Sequence, residues 1–374
     1  MELKQTIKRN IKNIIGTKTK RRIVVFYVDD YGSVRTKDRN AYNELVMGGC
    51  PFDKGFSFSK YDTLADKSDL TNLFEVLKSA KDSRNNNACF TPFTIVANPD
   101  FTKIRESGFN TYFRELFTET LKRYGSAYEG VFDLWKQGIH ENIFYPVYHG
   151  TEHVNVKRLM QALQNGHKSS LLAFDNESVC VPNFENEEPV RNYTANCDID
   201  TLADNEQLKS DIETGLKMFE ELFGYRTKQF APGAATYHPA LHPTLVDNGV
   251  KYININRVQK TPLGNGKYKN KIYFNGQKNE LGQRYIVRNG IFEPHGKTGT
   301  VEADNCLKDI EAAFRWGAPA VISSHRVNFV GHFDEKWRDN SLMQLKYLIE
   351  EIVKKWPDVE FMNGDEMCDT LFRQ

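Results

Sequence analysis

Six residues in a row, Ile23-Val24-Val25-Phe26-Tyr27-Val28, form an apolar run that leads straight into a pair of carboxylates, Asp29-Asp30. A run of this kind has no polar face to offer water. It predicts a strand buried on both faces, as in parallel sheets covered by helices. Two adjacent carboxylates repel each other, and burying them without a partner is costly. The end of this strand therefore asks for a cation or a solvated cleft. The alternative is an exposed strand-to-loop turn built on Asp30-Tyr31-Gly32.

Similar strand patterns lie at 89–96, 143–148, 228–230, 252–256, 320–324 and 359–362. Helical patterns fall between them at 70–79, 112–124, 156–163, 206–222, 305–316 and 341–355. Alternation of this kind predicts an α/β fold with parallel strands. Two stretches break it: 174–203 is polar and irregular, and 258–299 is rich in Gly, Asn and Lys. The second reads as a hairpin-bearing insertion, with β-like runs at 271–274 and 284–288. The expected organisation is a basic segment, 1–22, followed by one domain, 23–374, with insertions around 174–203 and 258–299.

Residues 1–22 carry eight Lys or Arg against one acid, Glu2, and Leu3, Ile7, Ile11, Ile14 and Ile15 recur at helical spacing. Such a helix either lays its apolar stripe on its own domain or makes peripheral contact with an anionic membrane face. The net charge of the whole chain is only +1, which argues against bulk capture of nucleic acid. No apolar stretch approaches the ~20 residues of a membrane-spanning helix. No secretory signal is visible, and the six cysteines are scattered without a C-x-x-C pair. The expected setting is reducing and cytoplasmic.

In parallel α/β folds ligands bind at the carboxyl ends of the strands. One candidate strand ends in Asp29-Asp30, a second in His149, with His153 four residues on, and a third in His325. A fourth runs into Ala231-Pro232-Gly233. Four-residue spacing brings two imidazoles to one side of a helical turn, where both reach one ion; the alternative is two surface histidines at a helix start. Asp30, His149 and His153 make a two-histidine, one-carboxylate set with open positions. It fits one divalent ion, catalytic zinc or another first-row metal.

These motifs resemble the polysaccharide deacetylase family, the NodB-homology group of the glycoside hydrolase/deacetylase barrels. Tyr27-Val28-Asp29-Asp30-Tyr31-Gly32 is similar to its T-F-D-D-G motif, and His149-Gly150-Thr151-Glu152-His153 to H-[ST]-x-x-H. Phe230-Ala231-Pro232-Gly233 is faintly similar to R-x-P-[FY]-G, and Ile322-Ser323-Ser324-His325 to a strand ending in L-x-H. The resemblance implies a distorted parallel (β/α) barrel of seven strands and metal-dependent removal of acetyl groups from a glycan or glycan precursor. By position it assigns the metal to Asp30, His149 and His153, the general base to Asp29 and the general acid to His325. A backbone N–H near Pro232 and Gly233 would hold the oxyanion. The third motif's Arg, which would orient the base, is replaced by Phe230. Arg288 is the substitute considered for it.

Three rival readings remain open. A barrel that binds sugar or metal without hydrolysis would follow from the missing Arg. A glycosidase on a related barrel would need two carboxylates flanking the bond, with Glu152 or Glu293 as partner to Asp29. His149–His153 also matches H-x-x-E-H, a metalloprotease pattern that requires a continuous helix.

Overall fold

The run at 23–28 forms the middle of β1 (Arg22–Tyr31), the strand on which the sheet is organised. The computed structural model describes residues 2–52, 60–179 and 187–372. The other strands are β2 (Phe90–Ile95), β3 (Ala97–Pro99), β4 (Arg114–Leu116), β5 (Val147–Gly150), β6 (Gln229–Phe230), β7 (Tyr252–Ile255), β8 (Val258–Gly264), β9 (Lys267–Ile272), β10 (Arg284–Val287), β11 (Gly290–Ile291), β12 (Ala320–His325) and β13 (Val359–Phe361). The main sheet runs β10-β7-β6-β5-β2-β1-β12-β11, with β13 paired to the start of β1, and every pairing in it is parallel.

The two ends of this order are neighbours in sequence. β10 pairs with β7, and β11, two residues further on, pairs with β12. They act as two halves of one strand that bridges the sheet's ends, which curls it into a distorted (β/α) barrel. Asn289 sits at the handover. Its N–H donates to Val321 O at 2.9 Å, its Oδ1 accepts from Val321 N–H at 2.7 Å, and its Nδ2 donates to Pro319 O at 2.8 Å. The segment 284–291, read from sequence as part of an insertion, thus belongs to the barrel. The hairpin itself is β8–β9.

Period-two alternation sorts β1 between two cores. Val24, Phe26 and Val28 pack outward under helices such as Lys67–Leu77, Val301–Arg315 and Glu335–Lys355. Ile23, Val25 and Tyr27 pack inward with Phe93, Val147, Ile286 and Val321, and Met367 and Cys368 of helix Gly364–Phe372 join them. The inward parity, continued to the carboxyl ends, leads to Asp29, His149, Arg288 and His325.

Several sequence boundaries move. β5 starts only at Val147, and the pattern at 112–124 divides into β4 and a helix, Phe117–Arg123. Helix Lys168–Asp175 reaches into the stretch read as irregular, of which 180–186 lie outside the described residues. The N-terminal helix, Glu2–Ile14, does not bury its isoleucines. It docks through Arg9 and Lys12, both 3.1 Å from Asp309, and through Asn13, which accepts from Asn289 Nδ2 at 2.8 Å. The five described cysteines are buried and unpaired as disulfides.

Replacing Asn289 by Ala strands the buried Val321 N–H and Pro319 O at the barrel seam. We expect a loss of about 2 kcal/mol in urea unfolding; a loss within error of zero would mean that Asn289 does not hold the seam.

Candidate active site

At the rim where β1, β5, β12 and the β10–β11 segment end, a cleft of about 490 Å³ opens. Asp29, Asp30, Arg35, His149, His153, Arg288, Ser323 and His325 line it, together with Pro232, Ala234, Asn254 and Asn256. Among the described residues that line it there is no Tyr, Phe or Trp.

Alternation alone would send Asp30 outward, away from Asp29. The pairing of β1 with β2 slips between Val28 and Tyr31, and Asp30 adopts φ 77, a left-handed conformation. A bulge of this kind re-aims a side chain, and Asp tolerates the conformation better than most residues. Both carboxylates thereby face one cleft, and each has its own cation. Arg288 forks onto Asp29, with Nη1 2.7 Å from Oδ2 and Nη2 2.6 Å from Oδ1, and Nη1 also donates to Ser323 Oγ at 2.9 Å. Burial opposes the charge of Asp29, but Arg288 and then His325 outweigh it and hold the carboxyl below its usual range. Arg35 Nη2 donates to Asp30 Oδ1 at 3.0 Å. Burial likewise opposes the charge of Asp30, and Arg35 with the two imidazoles brings its carboxyl well below the usual range.

His149 and His153 converge on the same Asp30 oxygen, with Nε2 atoms at 3.7 and 3.2 Å. The intervening loop is not helical: β5 ends at Gly150, and the next helix begins at Val156, capped by Asn155. Hydrogen bonds shape the loop instead. Ala97 N–H reaches Thr151 O at 2.8 Å, Thr151 Oγ1 donates to Asp211 O at 2.7 Å, and Asn196 Nδ2 donates to Glu152 O at 2.9 Å. Gly150 has φ 149, and a Cβ there would lie 2.4 Å from Asn196 Nδ2, so a side chain would push the loop apart. The helical turn expected from the H-x3-H spacing is thus replaced by a strand end and a loop. The metalloprotease pattern loses its required helix. Its Glu152 turns away from the cleft to Arg114, 2.6 Å off, where burial pushes it up to about 7.

The donor set suits a divalent ion. The ligand atoms of Asp30, His149 and His153 are buried and lie within 4.8 Å of one another. His149 Nδ1–H donates to Ala231 O at 2.8 Å, which fixes its tautomer and leaves Nε2 as the ligand nitrogen. Burial and the nearby Arg35 lower His153 to about 4, so it presents a neutral imidazole. Arg35 Nη2 lies 3.4 Å from His153 Nε2, so a guanidinium borders the donor set.

His325 faces Asp29, its Nε2 3.6 Å from Oδ2, and its Nδ1–H donates to Glu293 Oε1 at 2.6 Å. Burial disfavours the imidazolium, yet Glu293 and then Asp29 outweigh it and raise His325 to about 9. Asn328 Nδ2 donates to the second Glu293 oxygen at 2.6 Å.

The N–H of Gly233 donates to Asn196 Oδ1 at 3.0 Å, and Pro232, Ala234 and Ala235 line the cleft beside it. His242 is buried between Tyr237 and Glu280, away from the cleft. Sequence reasoning missed Arg35 and Asn196, which carry no motif. Arg288, considered from sequence as the substitute for the missing Arg, is seated on Asp29 by the inward parity that runs through Ile286.

A sequence model of glycosyl hydrolase family 57 matches residues 125–289, less than half of the chain. No curated protein matches it. Among solved structures, a provisionally named glycoside hydrolase/deacetylase from Parabacteroides distasonis aligns with TM-score 0.50 and 9% identity, over 96% of this chain and 73% of that one. An α-amylase from Thermotoga maritima aligns with TM-score 0.45 and 11% identity, over 94% and 75%. A provisionally named polysaccharide deacetylase from Mycobacterium smegmatis aligns with TM-score 0.43 and 12% identity, over 96% and 91%.

Calorimetric titration with Zn²⁺ should give one ion per chain, weakened at least ~100-fold in His153→Ala, since each ligand is a large part of a three-residue site. Equal affinity in the variant would remove His153 from the donor set. The first of the three structural matches shows a shared fold: this chain folds as that provisionally named glycoside hydrolase/deacetylase does.

Proposed function

We propose that the protein is a metal-dependent hydrolase that removes acetyl groups from a carbohydrate. The observation that carries this reading is the division of the Asp29-Asp30 pair: Asp30 faces two imidazoles, while Asp29 is clamped by Arg288 opposite His325. Bound to Asp30, His149 and His153, a divalent ion such as Zn²⁺ supplies Lewis acidity towards an acetyl carbonyl and a water beside it.

The chain's own residues do the rest. Asp29 takes the proton of the water that adds to the acetyl carbon. Arg288 uses both its Nη groups to hold the carboxylate in one orientation, the task that Phe230 cannot perform. A carboxylate held below its usual range stays ionised and so is free to accept that proton. As the C–N or C–O bond breaks, His325 delivers its Nε2 proton to the departing amine or alkoxide. Glu293 keeps that imidazole charged and oriented. The products are acetate and the free sugar amine or hydroxyl. Asn254, Asn256 and Thr194 offer hydrogen bonds to the sugar.

The partial match to glycosyl hydrolase family 57 favours a second reading, glycoside cleavage. That chemistry needs two separated carboxyl groups, one of them protonated. Asp29 and Asp30 are both held ionised, Glu293 is bonded to His325 and Asn328, and Glu152 faces another pocket. The acid in this cleft is an imidazolium.

Metal-loaded protein should release acetate from acetylated chito-oligosaccharides or acetylated xylan fragments, with at least a ~100-fold loss in Asp29→Asn. Reducing ends without acetate would turn the assignment to a glycosidase. Metal binding with neither product would mark a binding barrel. The sign of the pH dependence follows from His325: its acid form is required and its pKa is raised, so kcat holds through neutral pH and falls as pH rises through about 9. The residual activity of His325→Gln should lack that alkaline limb; an unchanged limb would assign it to another group.

A further inference from the structure

We infer that the N-terminal helix and the base of the β8–β9 hairpin form a docking face for an anionic lipid surface. This inference does not depend on the reaction proposed above. Helix Glu2–Ile14 is fastened to the barrel by its polar side: Arg9 and Lys12 engage Asp309, and Asn13 engages Asn289. That leaves the opposite side outward. Ile7, Ile11, Ile14 and Ile15 are 49%, 54%, 44% and 56% exposed, and they recur at the three- and four-residue steps of one helical face. Had the helix been a structural cover, its isoleucines would face the domain and its cations the water. Instead the isoleucines face the water, while Arg9 and Lys12 anchor the helix to the domain.

A second element with exposed apolar side chains adjoins the helix. Arg257 Nη1 donates to the carbonyl of Lys12 at 2.6 Å, which ties the base of the hairpin to the end of the helix. Val258 and Ile272 are cross-strand partners at that base, and they are 51% and 58% exposed.

Charge selects the partner. Lys4, Lys8, Lys18 and Lys20 are exposed around the isoleucines, and Lys260, Lys267, Lys269 and Lys271 lie along the hairpin. Residues 3–22 and 258–274 contain no Asp or Glu, although the whole chain is nearly neutral. Basic side chains beside an exposed aliphatic stripe match a bilayer of anionic headgroups, where lysines meet phosphates and isoleucines enter the acyl boundary. A nucleic acid would use the lysines and leave the isoleucines in water. Among the described residues no helix is long and apolar enough to cross a membrane, so contact through this helix is at the surface.

The test is flotation of the full-length protein with vesicles of phosphatidylcholine alone and of phosphatidylcholine with phosphatidylglycerol. The protein should float with the anionic vesicles and remain unbound with the neutral ones. The double variant Ile7→Glu/Ile11→Glu should reduce the bound fraction about tenfold, at an unchanged unfolding midpoint, because these side chains touch solvent. Lys4→Glu/Lys8→Glu should act similarly, and the wild-type signal should fall with rising salt. No binding to anionic vesicles overturns the inference. So does binding that the isoleucine pair does not affect, which would indicate charge capture alone. Concentration-dependent dimerisation abolished by the isoleucine pair, without vesicle binding, would assign the face to a second copy of this chain instead.

Discussion

Two adjacent carboxylates at the end of a buried strand set the terms for everything around them. Left alone, the pair would cost several kcal/mol in repulsion and lost hydration. The fold answers by giving each a separate cation from a separate element. Arg288 arrives from the strand that bridges the barrel's ends, and Arg35 arrives from the loop after β1. The two histidines then complete the surroundings of Asp30. Without the slip in β1 at Asp30, this division could not exist, because regular alternation would put the carboxylates on opposite faces of the sheet.

Barrel closure and site chemistry are therefore one construction. The strand holding Arg288 is split: its first half completes a ladder with β7 and its second half one with β12. Arg288 and Asn289 occupy the gap. Asn289 satisfies the backbone of β12, while Arg288 points inward to Asp29, so the residue that orients the carboxylate is held by the seam that closes the sheet. The N-terminal helix bonds to the same Asn289, which places the outward isoleucine face one residue from this seam.

Much of this was legible in the sequence, and the exceptions have physical causes. The strands that carry Asp29, His149 and His325 are apolar runs ending in reactive side chains, and such runs need no tertiary information to be read. The loop from His149 to His153 was not legible as a loop, because spacing alone cannot separate a helical turn from a strand end tightened by Thr151, Asn196 and Asp211. The occupied N–H of Gly233 depends on Asn196, a residue distant in sequence. Arg35 carries no motif, and its place follows only from the turn at Asp30. The outward face of the first helix was hidden because amphipathicity gives the width of a stripe and not its direction. In this helix the buried anchor is ionic, Arg9 and Lys12 on Asp309.

The central claim is that the two carboxylates hold separate jobs, Asp30 toward a metal and Asp29 toward a proton. The most direct measurement compares Asp29→Asn with Asp30→Asn for bound Zn²⁺ per chain and for acetate released, in the same preparations. Asp29→Asn should keep its ion and lose hydrolysis, whereas Asp30→Asn should lose both. Equal loss of metal in the two variants, or hydrolysis retained in Asp29→Asn, would contradict it.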